Sequence, residues 1–91
     1  MPMQTKELKI INPLGLHARA AAKLVQLSAG FASEISLTKD DKQANAKSIM
    51  KVMMLAAARG SLVRIEVTGD DELEAMAAVS TLIEDGFGEL E

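Results

Sequence analysis

The chain has no cysteine, one histidine, and two aromatic residues, both phenylalanine, in 91 positions. Without cysteine there are no disulfides, no thiol nucleophile and no thiolate metal site. One histidine and no cysteine make no recognisable metal-binding cluster, so no metal is expected. With aromatics at 2%, the core has to be built from Ala, Leu, Ile, Val and Met, and the usual platform for stacking bases is missing. Basic charge is also in short supply. Ten Lys and Arg stand against 13 Asp and Glu, for a formal net charge of −3, which argues against nucleic acid as the main partner. No run approaches the roughly 18 apolar residues of a membrane span. The opening Met1–Lys6 has no apolar h-region, so a secretory signal is not expected and the cytoplasm is the expected location. A hydrophobic fraction of 48% is that of a globular protein, and the length suits a single domain, 1–91, with a modest core.

Hydrophobic periodicity gives the element order. Leu8 and Ile10 alternate with Glu7 and Lys9, which predicts a strand over about 5–11. Asn12-Pro13 ends it. A helix over about 18–29 follows, with Ala20, Leu24, Leu27 and Phe31 as its buried stripe and Gly30 as a left-handed C-terminal residue. Ile35 and Leu37 point inward from a strand over 33–39, and a short strand over 43–46 follows the polar turn 39–42. A second helix is predicted over 48–57, ended by Gly60. Val63, Ile65 and Val67 mark a strand over 61–68. Asp70 or Asp71 is the candidate N-cap of the last helix, whose stripe is Met76, Val79 and Ile83 and whose end is Gly86. The order β-α-β-β-α-β-α is α+β. Four short strands cannot be covered on both faces by three small helices, so a four-stranded antiparallel sheet with its helices on one face is the economical solution.

The chemistry points to His17. It lies in Asn12-Pro13-Leu14-Gly15-Leu16-His17-Ala18-Arg19-Ala20-Ala21-Ala22, a strand exit, a turn and a helix start. A lone histidine is by default a surface or packing residue, but three local facts move this one. It sits between a glycine and a helix start, off any apolar stripe. Arg19 follows two residues later. And no Ser, Thr, Asp or Asn occupies the expected cap, which leaves N–H groups and partial positive charge for an anion, phosphate above all. Neutral imidazole is a nucleophile at neutral pH, and the helix dipole favours that neutral form. Attack on a phosphoryl group would give a phosphoimidazole held by the helix N–H groups and Arg19. It would resist hydrolysis, because no nearby carboxylate is evident to activate water. Hydrolase readings find no cysteine partner and no Ser–Asp frame for His17.

The string Gly15-Leu16-His17-Ala18-Arg19-Ala20-Ala21-Ala22 resembles the active-site signature of the HPr family, the histidine-containing phosphocarriers of the bacterial phosphoenolpyruvate-dependent phosphotransferase system. Lys47-Ser48-Ile49-Met50-Lys51-Val52-Met53-Met54-Leu55 resembles that family's regulatory-serine signature. The resemblance covers about residues 5–86 and implies an open-faced β-sandwich. It further implies that His17 accepts phosphate at Nδ1 from phosphorylated enzyme I and passes it to an enzyme IIA, with Arg19 on the phosphoryl group. Ser48 matches the serine that a dedicated kinase modifies in many members. One departure stands at the site: Ala20 replaces a common proline, a small change for the fold because both residues suit a first helical turn.

On the second helix, Val52 and Leu55 should face the core, leaving Ile49, Met50 and Met53 partly exposed. The alternative is a fully buried Met-rich helix. Exposed unbranched methionines suit an adaptable docking patch, with Ala18 and Ala22 of the first helix beside it and Lys23 and Lys51 flanking it to steer acidic partners. Ser48 also reads as a plain N-cap, and a phosphate there would add about two negative charges at the patch edge. The leading expectation is therefore a phosphoryl carrier in sugar uptake. It is not an enzyme in the strict sense, uses no cofactor and acts as a monomer. A regulatory phosphorelay without sugar transport is the alternative, and a binding module whose His17 is never phosphorylated is the third.

Overall fold

The computed structural model describes residues 3–89. Expectations that touch Met1 and Pro2, and the outer ends of the 1–91 domain, lie outside the described residues. The elements are β1 (Gln4–Lys9), α1 (Ala18–Ala29), β2 (Glu34–Lys39), β3 (Lys42–Asn45), α2 (Ile49–Met54), β4 (Leu62–Thr68) and α3 (Glu72–Glu84), followed by a 3₁₀ turn at Gly86–Gly88.

β4 carries the cleanest two-residue alternation, and it takes a central place in the sheet order β1-β4-β2-β3. Every pairing is antiparallel. The register aligns the apolar sets: Val63 stands opposite Leu8, Val67 opposite Ile35, and Ile65 opposite Leu37. Because side chains alternate between faces, this puts all of them on one side of the sheet. Leu24 of α1, Val52 of α2 and Ala75, Val79 and Ile83 of α3 close over that side in one buried cluster. The other face stays polar, with Gln43 bonded to Ser36 and Glu66. The result is the expected α+β sandwich with one open face.

The helices depart from expectation at their ends. Gly30 does not adopt the left-handed conformation; its φ is −78°. The end of α1 instead tightens into i→i+3 bonds, from the Gly30 N–H to the Leu27 carbonyl and from the Phe31 N–H to the Ser28 carbonyl, both 3.1 Å, which satisfies the last carbonyls without a glycine-specific turn. The buried stripe runs through Ala20, Ala21, Leu24 and Ser28, while Leu27 and Phe31 are half-buried at the edge of the core. α2 is shorter than 48–57. It stops at Leu55, Ala56 turns to φ 50°, and the Ala57 carbonyl accepts the Leu16 N–H at 2.9 Å. The chain leaves the helix at left-handed Ala56, and the segment that follows holds the loop that carries His17. Gly60 then belongs to the turn into β4, where its N–H meets the Ile10 carbonyl at 2.7 Å.

Asp71 takes the expected N-cap position of α3, its carbonyl accepting the Ala75 N–H at 2.9 Å, but its side chain makes no cap hydrogen bond. Its carboxylate reaches to the turn between α1 and β2, accepting the N–H groups of Ala32 and Ser33 at 2.9 Å each and the Ser33 hydroxyl. The Ser33 hydroxyl, then the Ala32 N–H, hold the Asp71 carboxyl below its ordinary value. Gly69 makes this approach possible. Its φ is 151°, and a Cβ there would lie 2.6 Å from Ser33 Cα. Gly86, at φ 61°, ends α3 as the pattern required.

Candidate functional site

The loop between β1 and α1 is fixed by its own polar groups. Asn12 is fully buried. Its backbone carbonyl accepts the Gly15 N–H at 3.1 Å, and its side-chain amide donates to the Gly15 carbonyl at 2.8 Å. Gly15 has φ 65°, and a Cβ there would fall 2.4 Å from the Ala57 carbonyl oxygen, so only glycine lets the loop lie against the segment after α2. Leu16 is buried next to it. These contacts leave His17 a single backbone setting, extended at φ −74° and ψ 178°, as the N-cap of α1.

The cap position is therefore not vacant. The imidazole fills it, with Nδ1 accepting the Arg19 N–H at 3.3 Å. A histidine is a poor match to the usual cap residues, and this is why the sequence reads as uncapped. The first turn of α1 holds no acidic residue, so its partial positive charge is not offset from within the helix. Pro13, Leu14, His17, Ala18, Arg19 and Glu89 line a shallow depression open to solvent, and Arg19 and Ala18 are exposed beside it.

Glu89 corrects the expectation of a site without a carboxylate. Its Oε2 lies 2.6 Å from His17 Nε2, and its Oε1 accepts from Asn12 Nδ2 at 3.0 Å. The Asn12 amide, more than the His17 ring and the Lys23 charge, holds the Glu89 carboxyl below its ordinary value, against the opposing effect of partial burial. The carboxylate faces Nε2, across the ring from Nδ1. Lys23, expected to flank the patch, donates to the Phe87 carbonyl at 2.6 Å and ties down the segment that brings Glu89 in. The 72-residue separation of His17 and Glu89 left no local pattern to read. Gly86 and Gly88 permit the sharp return after α3, but neither marks Glu89 as the residue that reaches the ring.

On α2, Val52 and Leu55 are buried as expected. Ile49 and Met53, expected to be partly exposed, are exposed, and Met50 is 72% exposed. Met54, not singled out from sequence, is also exposed, and Val52 is the one side chain of α2 that is buried. Lys51 is exposed, and Ala22 on the neighbouring α1 is half-buried. Ser48 is the N-cap, its hydroxyl accepting the Lys51 N–H at 3.4 Å. No cluster of three or more His, Asp or Glu side chains that could hold a metal ion is found among the described residues, nor is any helix long and apolar enough to cross a membrane.

A family model described as the PTS HPr component phosphorylation site matches residues 4–85. The chain belongs to the HPr family. It is accordingly a phosphocarrier of the phosphotransferase system, acting with other components of that system. The chain is 53% identical over 87 residues to the phosphocarrier protein HPr of Cupriavidus necator, covering 96% of this chain and 98% of that protein. It is 51% identical, with the same coverage, to HPr of Neisseria meningitidis serogroup A. Its structure is similar to that of HPr-C-His from Thermoanaerobacter tengcongensis, at a TM-score of 0.92 and 45% identity over 97% of this chain and 99% of the other. These likenesses span the sheet and all three helices. Glu89 lies beyond the stretch that the family model matches.

Proposed function

We propose that Nδ1 of His17 is the phosphoryl acceptor, receiving the group from phosphorylated enzyme I and passing it to an enzyme IIA protein in sugar uptake. The observation that carries this reading is the position of Nδ1 at the mouth of α1, 3.3 Å from the Arg19 backbone nitrogen. A phosphoryl group on Nδ1 takes the place of the ring lone pair as partner of that N–H and meets the positive end of the helix. The exposed Arg19 guanidinium, two residues on, contacts its oxygens. The chain acts as one HPr-like domain, 1–91, a cytoplasmic monomer that shows the same shallow site to successive partners. It enters each half-reaction as substrate and leaves as product, so it is a carrier and not an enzyme.

Ile49, Met50, Lys51 and Met53 on α2, with Ala18, Ala22 and Lys23 on α1, form the docking surface for these partners. Ser48 is a regulatory phosphorylation site for a dedicated serine kinase. A phosphate there stays at a helix N-terminus, so it leaves the fold intact while adding negative charge beside the patch. Incubation with phosphoenolpyruvate and enzyme I is expected to give an acid-labile, alkali-stable label that disappears in His17→Ala. A label of undiminished intensity in that variant would sink the assignment. An acid-stable phosphate absent in Ser48→Ala marks the second site.

A further inference from the structure

We infer that Glu89 is a positioning residue for phosphoryl transfer, holding the His17 ring with its proton on Nε2 and balancing the charge that appears when phosphorus bonds to Nδ1. This rests on Nδ1 as the acceptor. A neutral imidazole has one N–H and one lone pair, and which nitrogen carries which is decided by its partners. Here both partners select the same form. Ionised Glu89 can only accept, so at 2.6 Å it calls for a hydrogen on Nε2. The Arg19 N–H can only donate, so it calls for the lone pair on Nδ1.

The carboxylate is itself held. Oε1 takes a hydrogen bond from Asn12, whose buried amide also donates to Gly15, so the loop that positions His17 also positions its partner. On the other side the chain turns back from α3 through three consecutive left-handed residues, Gly86, Phe87 and Gly88, at φ 61°, 58° and 73°. Such a φ is unfavourable for phenylalanine. It is held by the buried Phe87 ring and by Lys23 on the Phe87 carbonyl. The His17 and Glu89 side chains are 27% and 17% exposed, enough shelter that water does not fully screen the pair.

In the transfer step the Nδ1 lone pair forms the bond to phosphorus. The bond from phosphorus to the donor breaks, and its electron pair leaves with the donor. The neutral ring, still protonated at Nε2, gains one positive charge. The Glu89 carboxylate stabilises that charge in the way a buried aspartate stabilises the imidazolium of a serine-protease triad. In the onward step the Nδ1–phosphorus bond breaks, the pair returns to Nδ1, and the same neutral tautomer is restored. No proton has to leave Nε2 at any stage. Because Glu89 faces the nitrogen away from phosphorus, it acts on the ring and not on water at the phosphoryl group.

The test compares Glu89→Ala, Glu89→Gln and Glu89→Asp with the wild-type chain. Ring ¹⁵N chemical shifts of His17, measured without any partner, report the tautomer. Wild type is expected to hold the hydrogen on Nε2, and Glu89→Ala, left with only the 3.3 Å Arg19 N–H to select that form, to show a measurable share of the other tautomer. Glu89→Gln retains an acceptor oxygen and so the tautomer, but loses the charge. Kinetics with phosphorylated enzyme I are expected to show kcat lower by about tenfold in Glu89→Ala, below the range of direct proton-transfer catalysis because Glu89 moves no proton and the site is half open. KM should stay near wild type, and Glu89→Gln should fall between the two. A wild-type tautomer together with wild-type kcat in Glu89→Ala overturns the inference, as does a loss confined to KM, which would make Glu89 a partner contact. Mapping the label in the wild-type chain separates the two claims. Label away from His17 sinks the acceptor assignment itself, whereas label on His17 with unchanged rates in all three variants sinks only the role of Glu89.

Discussion

Gly15→Ala places a methyl group where the Ala57 carbonyl oxygen already lies, at 2.4 Å, on a residue whose φ is 65°. Neither the backbone conformation nor the contact can be relieved without moving the loop, so the variant is expected to lose about 1–3 kcal/mol. Urea denaturation reads the loss, and the rate of phosphoryl acceptance should fall with it because the same loop sets the His17 backbone. At this scale the sequence was legible where chemistry and spacing were local. His17, Gly15 and Arg19 lie within five residues of one another, and their types announce a turn and an anion-seeking helix start. The identity of the cap was not legible, because histidine is not a habitual cap residue and its role here depends on a ψ of 178°. Glu89 was out of reach, since nothing local marks one carboxylate among 13 acidic residues as the one that a chain reversal carries back to the ring.

Between Met50 and Leu55 the side chains pass from solvent to core. Leu55 is 1% exposed and Met50 72%. Leu55→Ala should cost about 2–5 kcal/mol through lost burial and the cavity it leaves. Met50→Ala should stay within about 0.5 kcal/mol of wild type, as surface changes do. Met50→Glu should leave the thermal midpoint nearly unmoved but raise KM for enzyme I, because a charge replaces an apolar contact. Unchanged transfer kinetics in Met50→Glu would remove this helix from the docking surface. The face of α2 was readable from periodicity, since Val52 and Leu55 sit on the core side as their spacing required. Its length was not. Residues 55–57 continue an apolar, helix-favouring string, yet Ala56 turns to φ 50° and the Ala57 carbonyl pairs with the Leu16 N–H, tertiary context that local propensity cannot see.

The sheet joins strands far apart in sequence, and its order was recoverable only as a class. Alternation in β1, β2 and β4 gave the inward set, but the placement of β4 between β1 and β2 follows from pairing that no single strand encodes. Across that topology Asp71 ties the turn before α3 to the turn after α1, so its loss should be felt by the whole molecule. Its carboxyl is held below the ordinary 3.8, chiefly by the Ser33 hydroxyl and then by the Ala32 N–H. Between the lowered folded value and 3.8 the unfolded chain binds more protons than the folded one, so stability falls as pH falls. The contribution of Asp71 is fully present above 3.8 and is lost as pH drops through the folded value. Asp71→Asn cannot accept three hydrogens as a carboxylate does, so its urea midpoint should lie below wild type at pH 7. The gap between the two chains should then narrow steadily below 3.8 as the wild-type carboxyl takes up its proton. A gap that stayed constant from pH 7 to pH 2 would mean that the Asp71 contact stabilises the fold by shape alone and not through its charge.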